Sequence, residues 1–198
     1  MPRTSRALLS ALTAAMIIGF AGPASAHTGA MIGGLESGLM HPITGFDHVV
    51  AMIAVGLWGG ILGRPAAWLL PVIFPLAMAT SGAAAIAGVP LVGTETGIAV
   101  SGLVLGLVVL FVARPPLWVS MIMVGVFAIF HGHAHGLELP EAVNPAIYAL
   151  GFVVATGLLH LAGIAIGLLW RWRAGQVAVR AAGAAIAIAG AAFLTGLA

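Results

Sequence analysis

The chain has 198 residues, of which 62% are hydrophobic and 6% charged, and its mean hydropathy is +1.18. That composition lies far outside the soluble range and reads as a polytopic membrane protein. Seven arginines against five acids, a formal net charge of +2, are too few for a nucleic-acid surface. A sequence without cysteine has no disulfide and no thiolate ligand.

Residues 1 to 26 read as a cleavable secretory signal. Arg3 and Arg6 form its charged start, residues 7 to 20 its apolar stretch, and Ala24, Ser25 and Ala26 its small-residue cleavage site. Cleavage leaves His27 at the new N-terminus, where an α-amine and an imidazole lie within chelating reach. Residues 27 to 198 then form one all-α transmembrane domain. Six apolar segments follow, at about 42 to 62, 66 to 88, 95 to 113, 116 to 137, 145 to 170 and 176 to 197. Each approaches the ~20 residues that cross a bilayer, and the short gaps make neighbours antiparallel. Gly63-Arg64-Pro65, Gly88-Val89-Pro90 and Arg114-Pro115-Pro116 punctuate the borders.

The first segment opens with HPITGFDH at residues 41 to 48 and the fourth ends in FHGHAHGLE at residues 130 to 138. Ionisable side chains inside a membrane helix are costly unless partnered, and by default they mark function. His131, His135 and Glu138 follow the i, i+4, i+7 pattern of one helix face, whereas His133 points elsewhere. His41 to His48 and His131 to Glu138 are both seven-residue intervals, each a rise of ~10.5 Å on a helix. On antiparallel helices the ends pair crosswise. The spacing therefore predicts a ladder with an outer rung of His41 and Glu138, an inner rung of Asp47, His48 and His131, and His135 between them. A bend at Pro42 and Gly45 would merge the rungs into one site. Imidazole and carboxylate donors without cysteine sulfur suit borderline divalent ions such as nickel, cobalt or zinc.

The second segment carries Pro71 and Pro75, which are expected to kink it. Small-residue pairs at Gly56/Gly60, Gly102/Gly106 and Gly163/Gly167 read as helix-packing surfaces. Gly132/Gly136, beside the metal histidines, is expected also to draw the first and fourth helices together. His160 in the fifth segment reads as a buried histidine satisfied by a neighbouring helix. Glu36, Glu95 and Glu141 read as solvated loop acids. With the cleaved N-terminus outside, Arg64, Arg114, Arg171, Arg173 and Arg180 fall at cytoplasmic turns, as the positive-inside bias requires. Trp58, Trp68, Trp118, Trp170 and Trp172 then sit near that face as headgroup anchors. Both mature termini are expected to be periplasmic.

The two motifs fit H-P-x-x-G-x-D-H and F-H-G-x-A-H-G-x-E, and the chain resembles the HupE/UreJ family of nickel and cobalt permeases along essentially its whole length. The resemblance implies that His41, Asp47, His48, His131, His135 and Glu138 are the metal residues, with His133 at a variable position. It implies uptake of Ni2+ or Co2+ across a bacterial inner membrane, as transported substrate rather than resident cofactor. The users of that metal would be a hydrogenase, a urease or cobalamin synthesis. No phosphate-binding loop occurs in the sequence, so transport would be driven by membrane potential or ion coupling. An intramembrane metal- or heme-dependent enzyme, or an accessory subunit that delivers metal without transporting it, are the competing classes. The partners are a divalent ion and the bilayer; the sequence leaves the oligomeric state and the choice of ion open.

Overall fold

A computed structural model describes residues 34–138 and 144–197; the expected signal segment, His27 and Glu141 lie outside these. The described chain is all-helical: α1 (Gly34–Thr44), α2 (Phe46–Leu62), α3 (Ala66–Ile86), α4 (Thr94–Leu110), α5 (Leu117–Leu137), α6 (Pro145–Leu168) and α7 (Arg173–Thr195), with a 3-10 turn at Leu169–Arg171 before α7. Asn144 starts α6 by accepting from the backbone N–H groups of Ala146 and Ile147. Pro145 occupies the first turn, where its missing N–H costs nothing.

All six apolar segments are helical, but they differ from the expectation as membrane spans. Among the described residues four helices are long and apolar enough to cross a bilayer, and α1 with α2 makes a fifth span if the bent pair is counted as one. α4, at 17 residues, is shorter. The first segment begins earlier than position 42 and is broken: α1 and α2 meet at an 80° bend centred on Gly45. A side chain at Gly45 would press on Asp47 and His48, so the glycine both ends one helix and leaves room for that pair. α3 continues through Pro71 and Pro75 as one 21-residue helix. The two prolines remove N–H donors from its ladder without ending it.

Glycine sets the packing. Added β-carbons at Gly56 and Gly163 would overlap the backbone carbonyl oxygens of His160 and Ile53, so α2 and α6 lie in near backbone contact. Gly106 and Gly190 do the same for α4 and α7. Close approach of this kind maximises dispersion contact where lipid supplies little hydrophobic drive. Gly132 and Gly136 behave differently from expectation: they press on the carbonyls of Met78 and Gly82 and so seat α5 on α3, not on α2. Each glycine follows a histidine, about 100° further round the helix, and faces a different neighbour. α2 and α5 are thereby left without close backbone packing.

The tryptophans divide. Trp68, Trp118 and Trp172 are largely exposed on the apolar surface, as anchors are. Trp58 is wholly buried instead, and its indole N–H donates to the Ala113 carbonyl at 2.9 Å. That bond ties the last turns of α2 to the turn after α4, so Trp58 is core rather than anchor. Trp170 receives the Arg180 guanidinium over its ring at 5.6 Å.

Candidate metal centre

The gap between α2 and α5 is filled by imidazole rings. His41 lies on α1, Asp47 and His48 on the first turn of α2, His131 and His135 on the last two turns of α5, and Glu138 caps α5. His41 Nε2 is 3.1 Å from a Glu138 oxygen, at the outer end. Moving inward, ring centroids are 4.7 Å apart for His41 and His135, 4.1 Å for His135 and His48, and 4.7 Å for His48 and His131. The start of one motif thus meets the end of the other, as on antiparallel helices. Exposure falls along this chain, from 25% of the His41 side chain and 55% of Glu138 to none at His131.

Hydrogen bonds fix which nitrogen keeps its lone pair in the two inner rings, His48 and His131. His48 donates from Nδ1 to Asp47 at 2.8 Å, which leaves Nε2 as the lone-pair nitrogen. At His131, Nε2 lies 2.8 Å from the Ser101 hydroxyl, whose own proton goes to the Ile98 carbonyl at 2.6 Å. His131 must therefore donate from Nε2 and keep its lone pair on Nδ1. The free nitrogens, His48 Nε2 and His131 Nδ1, are buried and have no partner among the described residues. Both nitrogens of His135 are likewise without a hydrogen bond, although Nδ1 is 3.8 Å from Glu138. Outer-shell donors and acceptors of this kind orient metal-binding imidazoles and raise their basicity.

His41, His135 and Glu138 each offer one ligand atom, and these atoms all lie within 4.8 Å of one another. Donors sharing a divalent ion sit ~2.9 Å apart at cis octahedral positions and ~3.4 Å apart in a tetrahedron when each bond is about 2.0–2.1 Å. Contraction by roughly 1–2 Å would close the trio on an ion. Glu138 lies beyond the end of α5, and the hydrogen bond from His41 holds its carboxyl below the usual range, so it stays ionised through neutral and mildly acidic pH. A cavity of about 340 Å³ adjoins this end, bordered by Met78, Gly82, His135, Gly136, Tyr148 and Phe152.

The remaining histidines separate. His133 is buried and donates from Nε2 to the Val89 carbonyl at 2.9 Å, tying α5 to the turn after α3. His160 contradicts the expectation of a satisfied core histidine: it is 1% exposed, and neither ring nitrogen has a hydrogen-bond partner among the described residues. Glu36 and Glu95 are exposed acids in the first turns of α1 and α4, where helix dipoles favour negative charge. Ser101 was not legible as part of the site. It is 30 positions from His131 on another helix, and no spacing rule singles out one serine.

The fold and the cluster define a class: a helical bundle with several candidate membrane spans and a graded, buried imidazole and carboxylate array. A family model described as HupE / UreJ protein matches residues 14–193. Protein HupE of Rhizobium leguminosarum bv. viciae is 46% identical over 173 residues, covering 87% of this chain and 91% of that protein. The chain belongs to the HupE/UreJ family. No solved structure matches it.

Proposed function

We propose that the protein carries Ni2+ or Co2+ inward across the bacterial inner membrane, with His41, Glu138, His135, His48 and His131 as successive ligands and Asp47 as the charge beside them. The observation that carries this reading is the unbroken run of four imidazoles from a half-exposed mouth to a fully buried interior. An enzyme's metal site is held in one place; a graded series of similar donors lets an ion exchange ligands stepwise. Entry begins at the His41, His135 and Glu138 trio, where a negative carboxylate and two neutral imidazoles replace hydration water. Transfer to His48 and His131 follows, with Asp47 offsetting the ion's charge. In this reading the ion is cargo, the protein is not an enzyme and it has no resident cofactor.

The arrangement calls for six spans after a cleaved leader, with α1 and α2 together as the first and α4, ~25 Å long against a ~30 Å hydrocarbon core, spanning by local thinning of the bilayer. Both mature termini then face the periplasm and the arginines the cytoplasm. The metal's consumers would be nickel- or cobalt-dependent, in line with hydrogenase, urease or cobalamin chemistry.

In proteoliposomes, Ni2+ or Co2+ uptake is expected to rise when the interior is made negative. A 100 mV potential is worth ~2.3 kcal/mol per charge. For a divalent ion that is ~4.6 kcal/mol, or more than about a thousandfold accumulation. Uptake unaffected by potential would contradict charge-moving transport.

A further inference from the structure

The buried side of α6 carries polar groups that the fold does not use. Tyr148, Thr156 and His160 are 5%, 0% and 1% exposed, and the Tyr148 hydroxyl, the Thr156 hydroxyl and both His160 nitrogens lack hydrogen-bond partners among the described residues. Buried polar groups in membrane helices ordinarily pair with backbone or side chains, since each unpaired one is costly. Three unpaired groups along one helix point to a partner that is not part of the fold.

Their positions connect with the imidazole array. The Tyr148 ring is 5.8 Å from His41, and Phe152, one turn further on, is 4.5 Å from His135. His160 lies 5.5 Å from Phe74, whose ring is in turn 5.6 Å from His131. Along α6, Tyr148 to His160 spans ~18 Å, whereas Glu138 to His131 on α5 spans ~10.5 Å. His160 therefore lies deeper than His131, with the buried Phe74 ring between them closing the way in this conformation.

We propose that the buried side of α6 is the second wall of the ion path, and that His160 is the ligand that receives the divalent ion beyond His131. Resting on the transport reading above, this extends it past the two motifs. The Tyr148 and Thr156 hydroxyls hold water of the partly hydrated ion, and the next nitrogen able to bind it inward of His131 belongs to His160. His160 retains a free lone pair because nothing among the described residues competes for it.

The cysteine-free chain makes a direct test possible. In the full-length protein, Thr156→Cys is compared with Leu161→Cys, whose native side chain is 51% exposed on the apolar surface. A small cationic methanethiosulfonate needs thiolate, hence water. Thr156→Cys is expected to react at least about tenfold faster than Leu161→Cys, and Ni2+ should slow it; equal rates overturn the proposal. In parallel, His160→Leu is expected to bind Ni2+ at the outer trio like the wild type and to lose at least about tenfold in uptake. Its melting temperature should be no lower, because an unpaired buried polar group has been removed. Wild-type uptake in His160→Leu, or a lowered melting temperature that marks a structural histidine, overturns the proposal. Absence of uptake by the wild type would instead overturn the transport reading, and the thiol comparison would still decide whether α6 lines a watered path.

Discussion

His135→Ala is expected to abolish metal uptake, by at least about a hundredfold, the upper end of what losing even an outer-shell partner costs a metal site. His135 belongs to the entry trio and also makes the 4.1 Å ring contact with His48, so its loss removes an entry ligand and opens a gap in the middle of the array. The His135 side chain makes no hydrogen bond among the described residues, so alanine breaks none of the fold's own bonds. Uptake should therefore fail in a protein that still purifies as a folded species. Asp47→Asn is a graded companion: it keeps an oxygen to accept from His48 Nδ1 but removes the charge, and a loss of ~10–100-fold is expected. Radiometal uptake into proteoliposomes measures both. Wild-type rates in His135→Ala would remove that residue from the path, and a folding defect alone would make it structural.

The largest effect on folding is expected from Gly56→Val. Any β-carbon at Gly56 would overlap the His160 carbonyl oxygen, and two further His160 backbone atoms would lie at 2.9 and 3.0 Å. Ordinary overpacking costs about 1–3 kcal/mol because side chains give way. A helix backbone cannot do so without parting α2 from α6, which also separates Gly60 from Gly167 and Gly163 from Ile53. Loss of monodisperse protein in detergent is the expected outcome. Gly157→Ala is the control: nothing lies within 4 Å of a β-carbon there, and removing a mid-helix glycine should stabilise by roughly 0.5–1 kcal/mol. Equal behaviour of the two variants would mean that close α2 to α6 contact is not what holds the bundle.

The legible part of the site was the part encoded within single helices. The i, i+4, i+7 spacing of His131, His135 and Glu138 fixes a shared face whatever surrounds it, and equal seven-residue intervals make crosswise pairing the simplest register. Legibility stopped at relations between helices. Gly132 and Gly136 carry a packing signal, but a small-residue pair does not name its partner, and the neighbour is α3. Trp58 looked like an anchor because an indole near a helix end has the same local sequence whether it faces headgroups or core. His160 looked satisfied because hydrogen bonding is the usual fate of a buried imidazole, and an unmet bond leaves no mark in sequence.

By itself the sequence determined the membrane class, the helical segments, the two metal-type motifs and the family they resemble, because hydropathy and helical period are properties of short stretches of chain. The sequence offered a bend at Pro42 and Gly45; tertiary structure alone decided its 80° angle, the Ser101 bond that sets the His131 tautomer and the unpaired polar side of α6. Each of these depends on which backbone comes within a few ångströms of which side chain. That is settled by the combined packing of all the helices, and no local pattern of residues contains it.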